Sequence, residues 1–174
     1  TPAVLELLRE AGAQATFFLA GEQVARRPAL AAEIAAAGHE IGVHCQRHRN
    51  LLRLTPRQVG DDLRRAEDVI ASATGREPRL YRPPYGVLNA TALAFARRRG
   101  WTPLLWTRWG RDWERHATPA TIAWRLVHGL RAGDVLLLHD ADYYSAEGSW
   151  RRTLRALPSV LEALELDRLR PVAA

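Results

Sequence analysis

Short apolar runs alternate with longer amphipathic stretches along the whole chain. Residues 15–19 (Ala-Thr-Phe-Phe-Leu), 40–43, 79–81, 103–106 and 134–138 read as strands, and Asp134-Val-Leu-Leu-Leu is the clearest of them. Runs this short and apolar, without polar alternation, suit strands buried on both faces. Helical patterns fill the intervals. The first starts at Pro2 with Thr1 as its cap, carries Val4, Leu5, Leu7 and Leu8 on one side, and stops before Gly12. A second covers 22–37, with a break at Pro28 and a stop at Gly38. Thr55-Pro56-Arg57-Gln58 is a capping box that opens a helix to about Thr74. Asn89 caps a helix to Arg99, Thr118-Pro119 opens one to Leu130, and Ser149 or Trp150 begins one to Leu166. Arg170-Pro171-Val172 reads as a last edge strand.

This alternation predicts an α/β fold of parallel β/α units, either an open doubly wound sheet or a barrel. No Gly-rich fingerprint follows any strand, which argues against a dinucleotide fold. With 174 residues, 47% of them hydrophobic, the chain is read as one domain with material for a proper core. The series opens on a helix, so the strand expected ahead of it is absent from these residues. The chain has no methionine, so Thr1 is no retained initiator and an upstream segment is expected.

Composition adds a few bounds. No run of eighteen apolar residues occurs, so no membrane span is predicted. The net charge of +6 comes from arginine alone, since the chain has no lysine. That imbalance, beside many alanines, reads as the codon bias of a GC-rich genome, and Arg97-Arg98-Arg99 as a solvated helix end. A basic surface favours an anionic partner such as a wall polymer or nucleic acid, but no basic motif with interleaved aromatics supports nucleic acid. A single cysteine, Cys45, excludes an internal disulfide.

The unusual residues all fall just past predicted strand ends. His44 and His48 follow 40–43, Arg82-Pro-Pro-Tyr-Gly86 follows 79–81, Trp109-Gly-Arg-Asp112-Trp113 follows 103–106, and His139-Asp140 follows 134–138. In a β/α barrel these ends share the rim where active sites lie. On a helical turn, His44 and His48 at i and i+4 would present both imidazoles on one face, a spacing used by zinc hydrolases. Taken alone the pair is weak evidence, because one His packed under a loop and one solvated satisfy the same sequence.

The ordered series His44-x-x-x-His48, Arg82-Pro-Pro-Tyr-Gly, Arg-Asp112-Trp113 and Leu137-Leu-His139-Asp resembles the polysaccharide deacetylases related to the chitooligosaccharide deacetylase of nodulation, or carbohydrate esterase family four. Gly12-Ala-Gln-Ala-Thr-Phe-Phe and Ala37-Gly-His-Glu-Ile-Gly add to the resemblance, which runs over nearly the whole chain. It implies a distorted (β/α) barrel, here without its first strand, and a divalent metal, zinc in many members, that assists removal of acetyl groups from N-acetylglucosamine units. It implies His44 and His48 as metal ligands, His139 as general acid and Asp112 as its orienting partner. Arg82 would pair with a base carboxylate, the Tyr85 backbone N–H would meet the oxyanion, and Trp113 and Leu137 would line the acetyl pocket. The family's Asp-Asp pair, which supplies the third ligand and the base, belongs to the strand missing here; Asp61-Asp62 lies in a predicted helix and does not qualify. These residues alone are therefore expected to be inactive or weak.

Three positions depart from the family pattern: Cys45 stands where Ser or Thr is usual, Arg49 where Pro is, and Trp109 where Asp is common. Trp109, Tyr143, Tyr144 and Trp150 offer flat faces for sugar rings. The expected substrate is a chitin- or peptidoglycan-type glycan, with a cell-envelope or extracellular setting. Other readings stay open: a deacylase or deformylase of an aminosugar lipid, hydrolysis of a cyclic amide, a non-catalytic member that binds wall polysaccharide, and a basic domain that binds nucleic acid.

Overall fold

The computed structural model describes residues 1–174. In chain order the elements are α1 (Pro2–Glu10), β1 (Thr16–Leu19), α2 (Gly21–Arg26), α3 (Pro28–Ala36), β2 (Glu40–Val43), α4 (Pro56–Thr74), β3 (Leu80–Tyr81), α5 (Ala90–Arg99), β4 (Thr102–Pro103), β5 (Arg108–Trp109), α6 (Pro119–Val127), β6 (Leu136–Leu137) and α7 (Ser149–Leu166). The α/β class expected from the apolar periodicity is the class found. No helix is long and apolar enough to cross a membrane.

The chain divides into two compact units. One comprises Ala15–Leu105 with Ala173–Ala174. It holds a fully parallel sheet in the order β1-β2-β3-β4, with Thr16 opposite Glu40, Val43 opposite Tyr81 and Leu80 opposite Thr102. Its core is Ile41, Val43, Val59, Leu63, Ala66, Ile70 and Tyr81, each at most 2% exposed. The Thr55–Gln58 capping box forms as read, and Gly75 ends α4 in the left-handed conformation. The break at Pro28 is real: Arg27 leaves helical geometry and Pro28 starts α3.

The other unit comprises Thr1–Gln14 and Trp106–Val172. Its two strands, β5 and β6, are parallel, with Arg108 opposite Leu136 and Trp109 opposite Leu137. Ile122 and Leu126 of α6 pack with Ala156, Val160 and Leu164 of α7, and Leu136 and Leu138 lie against this cluster.

Several expectations fail for identifiable reasons. The strand read at 103–106 is found at Thr102–Pro103, because the Leu104 and Leu105 carbonyls accept from the Arg82 side chain. The strand read at 134–138 shrinks to Leu136–Leu137. Here Asp134 takes the Arg108 and Thr107 side chains and the Val135 N–H donates to Thr107 Oγ1, so Val135 keeps backbone partners only at its carbonyl, which accepts the Thr107 and Arg108 N–H groups. The helix from Pro119 stops at Val127, not Leu130, since the His128 and Gly129 carbonyls accept from Arg108. No strand forms at 170–172, where Pro171 has no N–H to give and its carbonyl takes a single bond from Gln14. Thr1 does not cap α1 with its side chain, which donates to Asp140 instead.

Candidate active site

In the unit built on β1–β4, the site residues begin where β2 and β3 end. His44 and His48 are not on a helix, contrary to the i, i+4 expectation; residues 44–50 form an irregular loop. The two rings nevertheless meet, with centroids 5.0 Å apart. Cys45 makes the turn, fully buried and in the left-handed region at φ 65°. The loop is fastened from two sides. The Gly21 and Glu22 N–H groups at the start of α2 donate to the Cys45 and Gln46 carbonyls. From α4, the buried Asp62 carboxylate accepts the Gln46 and Arg47 N–H groups at 3.2 and 3.3 Å and pairs with Arg49 at 3.5 Å. Glycine at position 21 leaves room for the Gln46 amide, since a Cβ there would overlap that side chain and stand 3.1 Å from the Ala66 backbone.

His44 Nδ1 lies 2.6 Å from the Arg82 carbonyl. A carbonyl can only accept, so Nδ1 carries the hydrogen and Nε2 keeps its lone pair, the tautomer and the backbone support that suit a metal-ligating histidine. The His48 ring meets Tyr85 edge-on at 4.6 Å. Tyr85 is 61% exposed and left-handed (φ 60°), set on a turn whose Pro83 and Pro84 are buried. Non-glycine residues in this conformation carry local strain and concentrate at functional sites. Arg82 is no ordinary surface arginine. It is 8% exposed, donates to the Leu104 and Leu105 carbonyls at 2.9 and 2.8 Å, and sits 4.0 Å over the Phe18 ring. Burial pushes its guanidinium down to about 10, which leaves it cationic at neutral pH.

The unit built on β5 and β6 holds the second set. The parallel register carries Asp112 and His139 past the same strand ends. Asp112 is fully buried and takes three hydrogen bonds: Oδ1 is 2.9 Å from His139 Nδ1, while Oδ2 accepts the His139 N–H at 2.6 Å and the Thr153 hydroxyl at 2.7 Å. Nδ1 is thereby committed to Asp112, and Nε2 is left for a reacting atom. Trp113 packs edge-on against His139 at 5.4 Å and joins Trp109 at 5.6 Å and, through it, Trp106 at 5.9 Å. Leu137 is 7% exposed on β6. Among the other aromatics, Trp109 is 46% exposed, Tyr143 49% and Tyr144 42%.

Two supporting residues escaped the sequence reading. Asp62 shares the apolar face of α4 with Val59, Leu63 and Ala66, and Thr153 shares that of α7 with Ala156, Leu157 and Val160. In each case the available signal was a polar side chain at a core-facing helical position, which stays buried only with a partner.

The His44–His48 pair fits two ligand positions of a divalent ion. No cluster of three His, Cys, Asp or Glu side chains able to hold a metal occurs in the chain. Cys45 does not extend the set, because burial, with the Asp62 charge nearby, pushes its thiol well above the usual range and keeps it protonated.

Parallel β/α units carry paired imidazoles past one strand end and a buried Asp–His pair past another, and similarity to known proteins gives the family. The polysaccharide deacetylase profile matches residues 1–104, and the chain belongs to that family. It is 33% identical over 172 residues to a chitooligosaccharide deacetylase of Bradyrhizobium sp. (strain ANU 289), covering 95% of this chain and 78% of the relative. Identity to a peptidoglycan-N-acetylglucosamine deacetylase of Bacillus cereus is 32% over 167 residues, covering 95% and 75%. A family 4 carbohydrate esterase from Streptomyces lividans, solved in complex with acetate, superposes with a TM-score of 0.87 at 31% identity, covering 98% of this chain and 84% of that one.

Proposed function

We propose that this chain is a metal-dependent carbohydrate N-deacetylase, acting on N-acetylglucosamine units of a chitin- or peptidoglycan-type glycan. The observation that carries the reading is the Asp112–His139 pair, in which a buried carboxylate orients an imidazole and leaves its Nε2 for proton transfer. In this reading His139 protonates the leaving amine nitrogen as the C–N bond breaks, and Asp112 with Thr153 holds the ring in place. Tyr85 offers its backbone N–H to the oxyanion, a role suited to the stiff Pro83–Pro84 turn. Trp113 and Leu137 pack around the acetyl methyl group, and buried Arg82 places a fixed positive charge for a substrate or base carboxylate. His44 and His48 hold a divalent cation, zinc being suited to imidazole; when bound, such a cation polarises the acetyl carbonyl and activates water.

A second reading is a non-catalytic member that binds glycan. Zinc titration and acetate release from chitopentaose separate the two. The enzyme reading expects one zinc site that is lost in His48→Ala. It also expects slow acetate release that drops about 100-fold or more in His139→Ala, the scale of general acid catalysis. Unchanged zinc binding in His48→Ala overturns the ligand assignment. Glycan binding without acetate release, even when the upstream segment is restored, establishes the second reading.

A further inference from the structure

Outside the residues assigned above, α4 and α5 enclose a surface groove of about 480 Å³. Arg57, Asp61 and Arg64 line it from successive turns of α4, and Phe95, Arg98 and Arg99 from α5. Asp61 lies 2.9 Å from Arg64 and 3.9 Å from Arg57, and Arg99 pairs with Glu67 at 3.1 Å. Arg98 is exposed and has no ion pair. Four guanidinium groups thus share two carboxylates, and the excess positive charge lines a concavity, where low-dielectric walls focus its field.

Gly60 is an independent sign that the groove is kept open. It stands inside the nineteen-residue α4, where glycine is about 1 kcal/mol worse than alanine. A Cβ built there meets nothing within 4 Å, so no neighbour excludes a side chain. Since Gly60 itself lines the groove, a side chain at this position would project toward it.

We propose that the α4–α5 groove binds an acidic glycan strand through its carboxylates. Guanidinium forks take carboxylates bidentately, and the aliphatic stems of the arginines with Pro56 give a sugar ring apolar surface. Asp61 inside the groove disfavours doubly charged phosphates and suits spaced single charges. Bases find no stacking face, because Phe95 is buried and carries the Arg99 guanidinium 5.6 Å above its ring. This site shares no residue with the proposed deacetylase machinery, and either assignment can fail without the other.

The test is titration of the full chain with oligogalacturonate at low salt, with neutral chitopentaose and an oligothymidylate of matched charge as comparators. Oligogalacturonate binding is expected to weaken with salt and to fall roughly tenfold in Arg98→Glu, the worth of a charge-assisted contact. Gly60→Ala, which favours the helix, is expected to raise thermal stability while weakening oligogalacturonate a few-fold by narrowing the groove. Chitopentaose binding should be the same in all three proteins. Equal oligogalacturonate affinity in wild type and Arg98→Glu, or tighter binding of oligothymidylate, overturns the proposal.

Discussion

The His139 and His44–His48 regions both fix imidazoles, and they do so by different means. Around His139 the support is a side chain: fully buried Asp112, whose two oxygens are spoken for by His139 Nδ1, the His139 N–H and the Thr153 hydroxyl. Around His44 the support is main chain, the Arg82 carbonyl at 2.6 Å, and the loop itself is tied to α4 through Asp62. The first arrangement holds both groups that the proposed acid and its orienting partner require. The second offers two imidazoles, and a catalytic zinc typically takes three protein ligands. In the proposed reading, proton transfer draws on groups within one region, whereas a metal at the histidine loop needs donors in addition to His44 and His48.

The largest expected effect exploits this difference. Asp112→Ala leaves the His139 N–H without its acceptor and the Thr153 hydroxyl with only the Ser149 carbonyl at 3.4 Å, a loss of about 2 kcal/mol in stability. It also frees the ring, so acetate release should fall at least about 100-fold. Zinc affinity should not change, because the hydrogen bonds of Asp112 serve His139 and Thr153. Acetate release within a few-fold of wild type would break the assignment of His139 as an oriented acid.

What the sequence revealed and concealed follows the same division. Elements whose signals are local appeared where expected: β2, the Thr55–Gln58 box opening α4, the Asn89 cap, and α7 from Ser149 to Leu166. The motif residues also emerged, since each is a chemically unusual side chain at a strand end. Features that depend on distant partners stayed hidden. The run at 134–138 looks like a long strand until Thr107 and Arg108, more than twenty-five residues earlier in the chain, occupy its polar groups. The histidine spacing suggested a helix, while Cys45 turns the backbone with a conformation that cysteine rarely adopts. Asp62, set aside as an ordinary helical residue, is what holds that loop.

A smaller effect sharpens the role of Thr153. Thr153→Val keeps the shape but withdraws one donor from Asp112, and roughly a tenfold loss of acetate release is expected from the value of a hydrogen bond to a charged group. A change in kcat at unaltered KM marks a positioning role, and Thr153→Ser should recover most of it. Loss of stability with unchanged kcat would reduce Thr153 to packing.

The smallest effect contrasts the two regions through pH. The Arg108 and Thr107 side chains hold Asp134, which anchors β5 against β6, down to about 2. A carboxyl lowered on folding lends stability above its unfolded value, near 3.8, and that stability is lost as pH falls through about 2. Asp62 behaves oppositely, because burial outweighs its hydrogen bonds and raises it. Its ionisation costs stability, and the cost is relieved as pH falls through the raised value toward 3.8. Denaturant midpoints of wild type, Asp134→Asn and Asp62→Asn across the acid range read both terms. On acidification the advantage of wild type over Asp134→Asn should shrink, while wild type should gain on Asp62→Asn. Slopes of the same sign would mean that Asp62 is held by its donors as an ordinary ion-paired carboxylate, and that the histidine loop is tied by charge as β5 and β6 are.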